Sequence, residues 1–209
     1  MQCEIPEKEF ALHKKNALSR RDNSKKGAID ERIRQLIDMI NSMPEFYTTS
    51  SCSGRIMLIE RKSERKDQAE WIFTSHEKVN AEEVLRVLKE KVSHSPIWFK
   101  QENMIIHIAA RSLEAANRMV VIGNASGFKR SCIISAGNRI MLSLESPESI
   151  NAIVSKNGSL LISEEGVREL CEEANRRMEI NFQRIKRLYR EIEKLKVLKN
   201  KDSTSPASL

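Results

Sequence analysis

Cysteine is scarce in this chain, and what there is lies scattered. The 209 residues contain 4 cysteines, Cys3, Cys52, Cys132 and Cys171. No two form a Cys-x-x-Cys pair, so neither a zinc site nor a disulfide framework is indicated, and a reducing cytoplasm is the expected setting. No His-Glu-x-x-His, no Asp/Glu cluster and no Cys/His set points to a metal. Aromatic residues make up only 5%, so base-stacking platforms are not the obvious mode of nucleic-acid binding. No RRM, KH or zinc-knuckle signature is present. No apolar run reaches membrane-spanning length, and the N-terminus, MQCEIPEKEF, has no apolar core for a signal peptide. No Gly-x-Gly-x-x-Gly follows a strand-like run and no P-loop pattern occurs, so an ordinary Rossmann-type site and P-loop chemistry are both unexpected.

What is present is positive charge, unevenly placed. The chain carries +7 overall. Residues 176–201 carry +7 and residues 14–34 carry +5, which leaves −5 on everything else. Two basic segments on an otherwise acidic body suggest a polyanionic partner, RNA first among the candidates; solvated helix faces are the plainer alternative. At 40% hydrophobic content the chain can bury a sizeable core. The expected organisation is one α+β domain over residues 1–200 and a disordered tail, KDSTSPASL, over 201–209.

The apolar spacing supplies the elements. Residues 6–19 read as a helix, and a second begins near Asp30, with Ile29, Ile33, Leu36, Ile37, Ile40 and Met43 on one face until Pro44 stops it. Phe46–Thr49 and Arg55–Glu60 are expected as paired strands, Trp71–Ser75 as another, and Pro96–Lys100 with Met104–Ala109 as a hairpin. Asn80 with Glu83 marks a helix start of the capping type, with Val84, Leu85, Leu88 and Val92 inward. A helix follows Ser112, Gly127–Ser135 and Arg139–Leu144 form a further strand-loop-strand, and a short helix is expected near Pro147. From Glu164 to about Leu198 one long helix carries Cys171, Ala174, Met178, Ile185, Leu188, Ile192 and Leu195 on a seam that Asn181 interrupts. The fold class is therefore α+β: a mixed sheet of strand-loop-strand units, outer helices and a long C-terminal helix. SCSGRIMLIE at 51–60 echoes SAGNRIMLSLE at 135–145, which leaves open either a duplicated half-domain or a coincidence between two hairpins.

The stretch TTSSCSGRI, residues 48–56, concentrates hydroxyls, a thiol, a glycine and an arginine. Successive backbone N–H groups in a tight turn make an anion-binding nest. Ser50, Ser51 and Ser53 add hydroxyl donors, Gly54 permits close approach, and Arg55 offers a fork for carboxylate or phosphate. A serine-rich hairpin turn with a surface arginine is the alternative. Cys52 has no base beside it in sequence and reads as a small loop residue rather than a nucleophile. His76 follows a strand; His107 lies in an apolar one, with Arg111 four residues on.

These residues resemble the tRNA wybutosine-synthesizing protein 3 family. The similarity starts at SKKGAID, with Lys26 and Asp30, and runs through TTSSCSGRI. It continues through Trp71 with His76, His107 with Arg111, and GFKRSCI, where Cys132 stands in place of the family's glycine. It covers nearly the whole chain. The resemblance implies an S-adenosylmethionine-dependent methyltransferase acting on the N4 nitrogen of a tricyclic guanosine beside the anticodon of phenylalanine tRNA. On the same basis Ser50, Ser51, Cys52, Ser53, Gly54 and Arg55 are the expected cofactor contacts. The group they hold is left open among the methionine carboxylate, the substrate's carboxylate and a phosphate. Asp30 and His76 are the expected catalytic pair, and Lys26, His107, Arg111, Ser131 and Arg139 the expected substrate or RNA contacts. A non-catalytic tRNA-binding paralogue of the same fold is the alternative that the resemblance allows.

Overall fold

The computed structural model describes residues 4–19, 29–62, 69–146 and 148–202. In chain order these form α1 (Glu7–Leu18), α2 (Glu31–Ser42), β1 (Phe46–Arg61), β2 (Ala69–Ser75), α3 (Ala81–Glu90) and β3 (Ile97–Ala110). There follow α4 (Leu113–Ser126), β4 (Cys132–Ala136), β5 (Ile140–Glu145), β6 (Ser149–Lys156), β7 (Ser159–Leu160) and α5 (Glu164–Asp202). The α+β reading holds. Seven strands make a sheet in the order β2-β1-β3-β5-β4, with β6 pairing β3 and β7. The pairs β1–β2, β3–β5, β3–β6, β4–β5 and β6–β7 are all antiparallel. Among the described residues no helix is long and apolar enough to cross a membrane.

The helices form where their spacing predicts, and their ends show why. In α2, Ile33, Leu36, Ile37 and Ile40 are buried along one stripe. Asn80 caps α3 by accepting from the Glu82 N–H at 2.8 Å, one residue earlier than the capping-box position. Because α3 ends at Glu90, Val92 falls beyond the helix and is 78% exposed, not inward. Ser112 caps α4 by accepting from Ala115 N–H, and Gly127, at φ +106°, terminates it in the left-handed conformation.

The strands depart from expectation in an informative way. The two runs at 46–49 and 55–60 are one continuous strand of 16 residues, β1, and the runs at 96–100 and 104–109 are one strand, β3. Polar composition suggests a turn at each break, yet both polar stretches are strand interior. No helix forms after Pro147, which itself lies outside the described residues. Ser149–Lys156 is β6, where Ile150 and Val154 are buried while Ser149, Asn151 and Ile153 are exposed, the period-two pattern of a half-covered strand. The internal echo also resolves into two different structures. Its first copy lies within β1, and its second runs through the turn between β4 and β5. The tail residues 203–209 lie outside the described residues, and α5 continues to Asp202.

The chain divides into two compact units. One comprises Met1–Cys52, Met104–Pro147 and Phe182–Leu209; the other comprises Ser53–Asn103 and Glu148–Asn181. Strands β1 and β3 and helix α5 each contribute residues to both. The first unit buries Phe46, Ile106, Phe128 and Leu188, and packs the Phe10 and Tyr47 rings at a tilt of 51° with centroids 5.2 Å apart. The second buries Met57, Leu58, Leu85, Phe99 and Met178.

Candidate functional site

Strand β1 is not uniformly covered. Residues Ile56–Glu60 are buried without alternation, as in a strand covered on both faces, whereas Thr48–Cys52 are half-buried or exposed. The polar part of the quoted stretch is thus the open part of the strand, and each unit builds its own constellation on it.

In the first unit, the backbone N–H of Thr48 donates to Asn41 Oδ1 at 2.8 Å, and Asn41 Nδ2 donates back to Thr48 Oγ1 at 3.1 Å. Asn41 in α2 therefore holds the start of the open segment. Two residues on, Ser50 Oγ lies 2.8 Å from Nδ1 of half-buried His107. Thr49 Oγ1 donates to the His107 carbonyl at 3.4 Å. This pairing of His107 with the hydroxyl stretch was not assigned from sequence. Asp30 sits at the N-cap position of α2 and is 8% exposed, but its side chain does not cap the helix. Lys26 lies outside the described residues.

Of the other expected substrate contacts in this unit, Arg111 and Ser131 have structural partners. Arg111 pairs with Glu4 at 3.0 Å and Glu7 at 4.0 Å, while its backbone N–H donates to the Glu45 carbonyl. Ser131 is buried, and its hydroxyl donates to the Phe128 carbonyl at 2.6 Å. Arg139 is exposed in the β4–β5 turn. Burial pushes the Tyr47 phenol up, and the Arg139 charge opposes that shift.

In the second unit the geometry centres on Gly54, whose φ is +100° inside a strand. A Cβ there would meet the Glu102 carbonyl oxygen of β3 at 2.9 Å and Asn181 Nδ2 of α5 at 2.9 Å. Only glycine fits this approach of backbones. The Ser53 carbonyl accepts from Asn181 Nδ2 at 2.7 Å, and both residues are fully buried. The Gly54 carbonyl accepts from His76 Nδ1 at 2.9 Å. A carbonyl only accepts, so Nδ1 carries the proton, and in the neutral ring Nε2 is the basic nitrogen.

Arg55 is held on both sides. Its Nε and Nη2 each lie 3.0 Å from Glu102 Oε2, and its guanidinium stands 4.6 Å from the Trp71 ring centroid. Lys100 reaches the other Glu102 oxygen at 3.3 Å. The arginine fork expected for a ligand anion is therefore engaged by a carboxylate of the chain itself. This partnership, and that of Asn181, were not assigned from sequence. The available signal was Asn181's polarity at a seam position, since a buried amide in an apolar seam implies a partner that needs it.

The cysteines differ in access. Cys132 is exposed, Cys52 half-buried and Cys171 buried; Cys3 lies outside the described residues. Burial pushes the Cys171 thiol up to about 11. Maleimide labelling followed by peptide mass spectrometry is expected to modify Cys132 first and Cys171 last, the latter at the rate of unfolding. The raised thiol also carries a sign. Below pH 9 it is neutral folded or unfolded. Between about 9 and 11 the unfolded chain ionises and the folded one does not, so stability falls as pH rises through that window.

Comparison with known proteins places this geometry among relatives. Residues 7–194 match the family model described as "Methyltransferase TYW3". The chain is 36% identical over 173 residues to a Pyrococcus furiosus protein named tRNA(Phe) 7-((3-amino-3-carboxypropyl)-4-demethylwyosine(37)-N(4))-methyltransferase 1, covering 82% of this chain and 88% of that one. It is 32% identical over 186 residues to the mouse tRNA wybutosine-synthesizing protein 3 homolog, covering 87% and 72%. Among solved structures, the PH1069 protein of Pyrococcus horikoshii is similar with a TM-score of 0.81 at 33% identity, over 89% of this chain and 97% of that one. A hypothetical protein from Aeropyrum pernix is similar with a TM-score of 0.69 at 25% identity, over 79% and 98%.

Proposed function

The chain belongs to the TYW3 methyltransferase family, and from that premise we propose that it methylates the N4 nitrogen of a 4-demethylwyosine-type base in phenylalanine tRNA, in the cytoplasm, with S-adenosylmethionine as donor. The observation that carries the reading is the span of the family match. Residues 7–194 include the whole of TTSSCSGRI and both histidines bonded to it, His107 at Ser50 and His76 at Gly54.

The donor chemistry of the chain fits the cofactor's amino-acid end. Thr49, Ser50 and Ser51 put hydroxyls on the open part of β1, where a carboxylate or ammonium finds hydrogen-bonding partners. Cys52 adjoins them, while buried Ser53 and Gly54 shape the strand. When bound, S-adenosylmethionine supplies a methyl carbon on a positively charged sulfur that leaves as a neutral thioether. Methylation replaces the proton on N4, so the chain needs a proton acceptor. His76 Nε2 takes that role, because the Gly54 carbonyl fixes the proton on Nδ1. Asp30 orients the reactants, and Lys26, His107, Arg111, Ser131 and Arg139 serve the tRNA side.

Arg55 enters differently from the sequence expectation. Glu102 already balances its charge, so Arg55→Ala is expected to change S-adenosylmethionine affinity by about fivefold at most. Glu102→Gln leaves the fork without its counter-charge and is expected to strengthen retention of an anionic ligand. Calorimetric titration of both variants checks this. A loss well beyond tenfold in Arg55→Ala would return the arginine to the cofactor's carboxylate.

The function itself is tested by incubating the purified chain with methyl-labelled S-adenosylmethionine and phenylalanine tRNA carrying the unmethylated tricyclic base. Label is expected in that base. Salt-sensitive tRNA binding without any label would instead establish the non-catalytic paralogue.

A further inference from the structure

Within the first unit, α2 and α5 border a groove enclosing about 360 Å³, in the size range of a small-ligand site. Its polar walls are Arg32 and Gln35 from α2 and Lys186, Tyr189, Arg190 and Glu193 from α5. Several other cations of α5 are committed to partners, Arg176 and Arg177 to Glu173 and Lys194 to Glu191, while Arg187 is exposed like Lys186 and Arg190. Lys186 and Arg190 are exposed and form no ion pair among the described residues. They stand four apart on one helix face, where like charges repel until an anion lies between them. Arg32 is held in place differently, its guanidinium 4.0 Å from the Phe182 ring centroid. Tyr189 is half-exposed between Lys186 and Arg190, and its phenol makes no hydrogen bond among the described residues.

We propose that this α2–α5 groove is an RNA subsite: Arg32, Lys186 and Arg190 receive backbone phosphates, and the Tyr189 ring receives a base. An aromatic ring flanked by exposed cations, here Lys186 and Arg190, is the arrangement that holds single-stranded nucleic acid, because phosphates follow the charge and any base can stack on the ring. A protein partner fits less well, since the groove's charge is dominated by cations, Arg32, Lys186 and Arg190 against Glu193 alone. The proposal rests on the tRNA methyltransferase reading and adds to it a contact surface for the substrate's single-stranded segment.

The test uses the full chain, its tRNA substrate and two sets of variants. Lys186→Gln with Arg190→Gln is expected to raise the KM for tRNA about tenfold, while kcat and the KM for S-adenosylmethionine stay within about twofold. The slope of log affinity against log salt is expected to become shallower by about 1.4, the loss of two phosphate contacts on a single strand. Tyr189→Ala is expected to weaken tRNA binding about tenfold, and Tyr189→Phe, which keeps the ring, to bind as the parent does. The substituted side chains lie on the helix surface, and circular dichroism of each variant checks that the fold is retained. If wild-type chain methylates tRNA and the charge-neutral variant keeps KM and salt slope unchanged, the subsite is overturned and the methyltransferase reading stands. If both proteins bind tRNA alike and neither methylates it, both readings fail.

Discussion

Gly54→Ala is expected to destabilise the protein by about 2–5 kcal/mol and to remove methyl transfer with it. Two costs combine. An alanine at φ +100° occupies left-handed backbone space, a penalty of about 1–2 kcal/mol. Its Cβ would also stand 2.9 Å from the Glu102 carbonyl oxygen and 3.2 Å from the Asn103 carbonyl carbon. Backbone cannot swing aside as a flexible side chain can, so this overpacking adds about 1–3 kcal/mol. Strain here moves the Gly54 carbonyl, and His76 is oriented by that carbonyl. Urea unfolding followed by far-UV circular dichroism measures the first effect, and a methyl-transfer assay the second.

Asn181 is the companion. Asn181→Leu leaves the buried Ser53 carbonyl without the amide that reaches it at 2.7 Å, at a cost of about 1–3 kcal/mol. Because Asn181 Nδ2 is one of the atoms the new Cβ meets, the two substitutions are expected to be non-additive by at least about 0.5 kcal/mol. Strict additivity, or a Gly54→Ala variant as stable as the parent, would show that β1 does not need this conformation.

His76→Ala is expected to lower kcat by about 10²–10⁴-fold, the usual contribution of a positioned general base. The affinity for S-adenosylmethionine should hold, since the hydroxyls assigned to it lie elsewhere on β1. A general base and a strut for the Gly54 carbonyl are separated by His76→Gln. Glutamine has an N–H that can donate to the carbonyl but no nitrogen that accepts a proton near neutral pH. If His76 accepts the proton, His76→Gln is as slow as His76→Ala. If the imidazole only supports the strand, His76→Gln recovers most of the rate. Single-turnover measurement with saturating tRNA keeps binding and product release out of the comparison.

Much of this molecule was legible in order of residues. The helices followed from apolar spacing and caps, as at Asn80 and Ser112, because helical hydrogen bonds close within one turn and their signals lie within one turn. The candidate site was legible as a list of residue types, and the motif series placed the family. The partners were not. Nothing near Arg55 in the chain announces Glu102, and nothing near Ser50 announces His107, since 47 and 57 positions separate them. The strand boundaries failed for the same reason. Gln101 and Asn103 look like a turn, yet they are buried in β3, where Gln101 Nε2 donates to Asn103 Oδ1 at 2.7 Å and Asn103 Nδ2 to the Glu148 carbonyl at 3.1 Å.

The amino-acid order by itself determined the helices, the strand-forming runs, the charge-rich C-terminal helix and the family, because each of these is written in local periodicity or in contiguous motifs. Only the tertiary structure decided that the hydroxyl-rich stretch is strand rather than turn. A polar, glycine-containing segment can continue as a buried strand only if its backbone groups find donors and acceptors. Here one of those donors, Asn181, arrives from 128 residues away.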